Sequence, residues 1–181
     1  MGIVSYADET ALSGEAKEIY DHAMARSGRV TNMVKTLLHS VPAFRALEFY
    51  PCQDALAEVI GKRAAYFYCF AISDADACLI CTTVHAKYLQ DMGITPEEFE
   101  FTEEENALIA FGRAMAKDAA HIPDDVYDRM KRLFTDEEIV LITAVGCRMV
   151  SSNMFNLALK IDVDDYLFDV DLDASILDKS R

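Results

Sequence analysis

The chain has no tryptophan, only four prolines and seven glycines in 181 residues, and few basic side chains. Lysine and arginine total 17 against 31 aspartates and glutamates, for a net charge of −14. That balance disfavours nucleic acid backbones and anionic membranes as partners. No uninterrupted apolar run has the length of a membrane span. The first residues also lack the basic and apolar regions of a signal peptide. These absences lead to the expectation of a soluble, acidic, cytoplasmic protein. With 52% hydrophobic residues the chain is not generally disordered, and its length suits one domain with a sizeable core.

Strand signals are weak nearly everywhere, while helical signals recur. Ala16, Ile19, Tyr20, Ala23 and Met24 fall at spacings of three and four, predicting a helix over 15–27 that ends near Gly28. Asn32 is expected to cap a second helix, and Pro42 fits the first turn of a third. A short helix is expected over 53–60. Residues 62–72 carry four aromatics without an alternating polar face, so they read as a buried helix rather than a strand. SDAD at 73–76 then makes a polar turn, and Asp76 is the expected cap of a helix over 77–91. Thr95 and Glu98, Thr102 and Glu105, and Thr135 and Glu138 each have capping-box spacing. They predict three helix starts, with a short helix at 124–132 before the last one, which covers 136–159. The reading is therefore all-α. An N-terminal extension covers 1–14, the helical domain 15–165, and an acidic C-terminal arm 166–181, which would pack on its own domain or on a partner subunit.

Five cysteines, at 52, 69, 78, 81 and 147, are odd in number and scattered, which argues against a disulfide scaffold. Only Cys78 and Cys81 form a close pair. On a helix over 77–91 they share one face with His85, four residues beyond Cys81. Cys78 would fall in the first turn, where free backbone N–H groups favour a thiolate. His85 could take the Cys81 proton directly or through water. A thiolate so formed can attack the distal oxygen of a hydroperoxide and become a sulfenic acid. The second thiol then condenses with it to a disulfide, which a thiol reductant reopens. Position alone does not decide which sulfur attacks: the helix start favours Cys78, proximity to His85 favours Cys81. Cys81 is preferred as the attacking sulfur, because attack also needs a nearby base, with Cys78 resolving. A structural metal site lacks a fourth ligand. A thioredoxin-like pair would need a βαβ pattern that is not found. Two inert, buried cysteines are the remaining alternative. No cofactor or metal is expected. Cys52, Cys69 and Cys147 read as core or incidental thiols, and His22, His39 and His121 as structural.

The run Cys78-Leu-Ile-Cys81-Thr-Thr-Val-His85, followed by Ala86, Lys87 and Gly93, resembles the alkylhydroperoxidase D-like, or carboxymuconolactone decarboxylase, superfamily. Gly28-Arg-Val-Thr-Asn32 and Leu38-His-Ser-Val-Pro42 look like its N-terminal stretch. The Thr135 helix start with Asn153 and Asn156 looks like its closing helices. The resemblance covers about 15–165. It implies an all-helical fold and a homo-oligomer: a dimer or trimer, or a hexamer. In the peroxidase branch it also implies that the second motif cysteine attacks and the first resolves, which supports Cys81 and Cys78, and that the motif histidine, here His85, activates the thiol. That branch places a glutamate where this chain has Tyr66. A phenol with a pKa near ~10 is a poor substitute for a carboxylate base, and Glu58 or another acid would have to take that part. The function expected is a thiol-dependent peroxidase acting on small or organic hydroperoxides with an unidentified thiol reductant. The alternatives are a carboxymuconolactone decarboxylase-like enzyme acting on a small cyclic acid and a noncatalytic oligomeric protein.

Overall fold

A computed structural model describes residues 2–94, 100–171 and 174–180. Among the described residues nine α-helices follow in order: α1 Gly14–Ser27, α2 Asn32–Leu37, α3 Val41–Leu47, α4 Tyr50–Ile60, α5 Lys62–Ala75, α6 Leu79–Asp91, α7 Glu103–Asp118, α8 Asp124–Leu133 and α9 Asp136–Leu159. Two 3-10 turns, Asp165–Leu167 and Ala174–Lys179, complete the chain, and no strand occurs among the described residues. The all-α expectation holds. The helix start expected at Thr95 lies outside the described residues.

The local signals succeed where a side chain and its own backbone decide. Gly28 ends α1 in the left-handed region at φ 70°, a conformation that costs glycine nothing. Thr102 and Thr135 both close reciprocal capping boxes with Glu105 and Glu138. Three expectations need correction. Thr31, not Asn32, caps α2, its hydroxyl accepting from the Val34 N–H. Asn32 instead donates its backbone N–H to the Asp164 carboxylate at 2.7 Å and its side-chain amide to the Asp162 carbonyl. The SDAD segment is not a turn, because α5 runs on to Ala75 with Ser73 fully buried. Asp76 ends α5 rather than capping α6, and the N-cap position of α6 belongs to Cys78.

The centre of the molecule is α5. Ala65, Phe67, Tyr68, Cys69, Phe70, Ala71 and Ile72 are all fully buried, so the middle of this helix is enclosed by apolar side chains, with exposed residues only at its ends, Lys62 and Ala75. It packs against α4, α6, α7 and α9. The Tyr68 hydroxyl donates to the Ile142 carbonyl of α9 at 3.0 Å, satisfying a phenol that is otherwise buried in hydrocarbon. Two glycines, Gly146 on α9 and Gly112 on α7, make room for this tyrosine. A Cβ on Gly146 would overlap the Tyr68 hydroxyl and the Met115 methyl, and one on Gly112 would press on the Tyr68 ring and Ile72.

α9 is long and apolar enough to cross a membrane by length and composition alone. As expected, the sequence has no uninterrupted apolar run of that length, because Arg148 falls within this helix. The helix serves as a core element, with Ile142, Val145, Gly146, Met149, Ser152, Asn153 and Asn156 buried on one side. Its other side leaves Val140 and Met154 exposed. Arg148 donates to the carbonyls of Ala46 and Glu48 and so ties α9 to the α3–α4 corner.

Both chain ends lie on the helical body. The Ile3 N–H donates to the Leu159 carbonyl at 3.0 Å, and the Ala7 N–H to the Lys35 carbonyl at 3.1 Å. Ile176 and Leu177 are buried against Phe67, Phe70, Leu89 and Ile109, so that part of the acidic arm packs on its own domain. Phe168, in the same arm, is 70% exposed.

Gly146→Ala should destabilise the protein by roughly 1–3 kcal/mol, the usual cost of an added methyl in a packed core. Adding Tyr68→Phe, which removes the clashing hydroxyl, should make the pair of changes cost less than the sum of the two. Thermal unfolding of the two single variants and the double variant measures this, and strict additivity would show that the two groups do not meet.

Candidate functional site

The site grows from the turn between α5 and α6. Ala77 sits there at φ 54°, a left-handed conformation that costs a non-glycine residue roughly 1–2 kcal/mol. Its N–H donates to the Asp74 carbonyl, and the Cys78 N–H to the Ser73 carbonyl at 3.0 Å. The turn delivers Cys78 to the N-cap of α6 and Cys81 one turn further on, both buried. Cys78 is thus just outside the first helical turn, where the sequence placed it inside. It still faces the free N–H groups of a helix start.

The two sulfurs share a hydrogen bond. Cys81 donating to Cys78 pulls the Cys78 thiol down to about 7, against the opposing effect of burial. The same hydrogen bond, followed by burial, holds the Cys81 thiol well above its ordinary range. The pair loses its first proton readily and its second with difficulty. Access runs the other way. Cys81, and not Cys78, lines an apolar cavity of about 100 Å³, along with Leu37, Phe44, Val84 and Met149. The Asn156 amide donates to Cys81 Sγ at 3.2 Å.

His85 is buried on the same helix, but its ring is committed elsewhere. Nδ1–H donates to the Cys81 carbonyl at 2.8 Å, and Gln53 lies 3.1 Å from Nε2. With Nδ1 as the donor, Nε2 accepts from the Gln53 amide, which defines a neutral tautomer. Burial lowers the His85 pKa to about 4. The direct proton path expected from Cys81 to His85 is therefore not formed here. Tyr66 does not line the cavity. It stacks on Tyr88, ring centroids 5.0 Å apart, and Tyr88 is the phenol that reaches the cavity wall. Glu58 is exposed on α4 and also outside the cavity lining. The carboxylates that do line it are Glu48 and Asp164. Asp164 is buried enough for its pKa to be raised.

Several cavity residues were not foreseen as part of the site: Gln53 on α4, Tyr50 at its start, Tyr88 on α6, and Tyr166 in the 3-10 turn. Asn156 was matched to the closing helices without a role. These residues come from elements far apart in sequence, and none carries a local motif. Cys69 is fully buried and its thiol is pushed up to about 12 by burial, as suits a core cysteine. Cys147 is exposed on α9 and Cys52 half-buried. Among the described residues, no three histidine, cysteine or acidic side chains are grouped so as to hold a metal ion.

No family model and no curated protein matches the chain. Solved structures do. A peroxidase-related protein with an alkylhydroperoxidase AhpD core from Ralstonia eutropha aligns over 92% of this chain and 94% of its own, at 21% identity and a TM-score of 0.75. A putative antioxidant defence protein AhpD from Agrobacterium tumefaciens aligns over 71% of this chain and 94% of its own, at 23% identity and a TM-score of 0.61. The debrominase Bmp8 aligns over 99% of this chain and 98% of its own, at 16% identity and a TM-score of 0.77. A cysteine-to-alanine variant of that debrominase is known in complex with 2,3,4-tribromopyrrole. The chain therefore has the AhpD-like fold.

The buried neutral histidine carries a stability consequence. Its folded pKa, about 4, lies below the unfolded value of about 6.5. As pH falls, the unfolded chain takes up this proton first. Stability should drop between about pH 6.5 and about pH 4, and not further from this group. The full effect is up to about 3 kcal/mol. His85→Phe should flatten that limb, measured as the difference in urea unfolding free energy between pH 7 and pH 4.5 for the two proteins.

Proposed function

We propose that the chain is a thiol-dependent peroxidase that reduces small or organic hydroperoxides through Cys78 and Cys81 in a reducing cytoplasm. The observation that carries this reading is a pair of buried thiols at a helix start whose second sulfur accepts from Asn156 and opens onto an apolar cavity. In the first step the Cys81 thiolate attacks the distal oxygen of ROOH. The O–O bond breaks, its electron pair leaves on RO⁻, and a proton makes the alcohol. Cys81 is left as a sulfenic acid. Cys78, deprotonated, then attacks the Cys81 sulfur and displaces hydroxide, which leaves as water after protonation. The resulting disulfide is reduced by two electrons from an external thiol or dithiol. His85 assists proton transfer when Gln53 turns away from Nε2, and the leaving oxygen departs into a cavity walled by Tyr50, Tyr88 and Tyr166. Tyr66 supports this wall by its contact with Tyr88.

The likeness to a debrominase, extending over nearly all of both chains, supports a second reading in which the same dithiol removes halogen from an aromatic ring. The Cys81 thiolate would take bromine from carbon, the ring would gain a proton, and Cys78 would displace bromide to give the same disulfide. Both readings consume two electrons from the pair and differ only in the bond broken. The exposed Val140 and Met154 on α9 further support a homo-oligomer, since such surface is readily covered by a second copy. A dimer or trimer is expected by light scattering at micromolar concentration; a monomer throughout would reject this.

Stopped-flow oxidation with hydrogen peroxide and cumene hydroperoxide tests the main reading. The wild type should lose both thiols much faster than free cysteine, and Cys81→Ser should fall to the background rate. Cys78→Ser should give one oxidation event and a trappable sulfenic acid, with no turnover. Wild-type rates no faster than free cysteine, together with bromide release from a brominated pyrrole, would replace the peroxidase reading with the second one.

A further inference from the structure

Two buried asparagines on one face of α9 remain outside the chemistry just described. Asn153 is fully buried and Asn156 nearly so. At a spacing of three they project from the same side of the helix. Each directs its amide nitrogen at the cysteine turn: Asn153 donates to Asp76 Oδ2 at 2.7 Å, and Asn156 to Cys81 Sγ at 3.2 Å. Each also leaves its amide oxygen buried without a hydrogen-bond partner. An unpaired buried acceptor is a cost that packing alone gives no reason to keep. Two of them side by side, both facing the cysteine turn, mark a place where the N–H donors are what is needed.

We propose that Asn156 is a positioning residue that selects the attacking sulfur: its amide holds the negative charge on Cys81, which faces the cavity, while Asn153 fixes the Asp76–Cys78 turn against it. This deepens the peroxidase reading and rests on it for the reaction served, whereas the amide–sulfur contact stands independently.

The physical problem is a mismatch between charge and access. The helix start and the hydrogen bond from Cys81 both draw charge to Cys78, yet Cys78 does not line the cavity. A donor on the Cys81 side offsets this bias, because a hydrogen bond to a charged acceptor is stronger than one to a neutral acceptor. With the charge on Cys81, the Cys78 thiol can donate in turn. The Asp76 carboxylate, held by Asn153, acts in the same direction, since its charge disfavours a thiolate on Cys78. Asn156 influences both sulfurs. Once Cys81 has become a sulfenic acid, the same amide can steady the Cys78 thiolate as it resolves.

The test is limited alkylation of the reduced protein with iodoacetamide across pH, with peptide mapping to divide the label between the two cysteines. The wild type should be labelled mainly at Cys81. Asn156→Leu should raise the pH midpoint of Cys81 labelling by about one unit, equivalent to about a tenfold loss of thiolate at a given pH, and move label to Cys78. Asn156→Asp, equal in size but without the donor, should do the same, and it carries the test if the leucine variant fails to fold. Asn156→Gln should restore part of the Cys81 preference. Dominant Cys78 labelling in the wild type, or an unchanged midpoint and ratio in Asn156→Asp, would overturn the assignment. If the labelling follows expectation while hydroperoxides are not reduced, the peroxidase reading fails and the role of Asn156 stands.

Discussion

The separation of α5 from α9, set by the Tyr68 hydroxyl on the Ile142 carbonyl and by Gly146, which has no side chain in the way, governs the rest of the molecule. α5 ends in the turn that carries Cys78, and α9 carries the two asparagines that reach this turn. A displacement of one helix against the other by an ångström would break the 3.2 Å contact from Asn156 to Cys81. Packing at Tyr68 and the position of Cys81 are therefore linked through α9 on one side and through α5 with its short turn on the other. Close-packed interiors transmit such shifts rather than damp them.

Within the site, three effects pull in different directions. Helix-start electrostatics and the shared hydrogen bond favour charge on Cys78. Burial disfavours charge on either sulfur. The cavity reaches Cys81 and not Cys78. The histidine that looked like the base is neutral, buried and hydrogen-bonded at both nitrogens. Its backbone contact clasps the first turn of α6, so it contributes to the shape of the site even before any proton moves.

Much of the fold was legible because its signals are local. The two capping boxes that fall within the described residues, the left-handed Gly28 and the proline start of α3 depend on a few neighbouring residues. The apolar run of α5 could be read as a buried helix from its lack of a polar face. What failed depended on contacts distant in sequence. Asn32 looked like a cap, but its N–H is claimed by Asp164, 132 residues away. Asp76 looked like the start of α6, but Asn153 on α9 claims its carboxylate. The cysteine pair and its histidine could be found from spacing alone. Gln53, which decides what the His85 ring can do, sits 32 residues upstream with no pattern to mark it.

The fully buried Cys69 gives the cysteine pair a silent neighbour. Its thiol lies close enough to accept a weak contact from the same Gln53 amide that holds His85, 4.0 Å from the amide nitrogen. Disulfide exchange needs a thiolate, and burial keeps this sulfur protonated. A Cys78–Cys81 disulfide of the kind proposed would therefore find no reactive thiol at Cys69 and could not migrate inward to it.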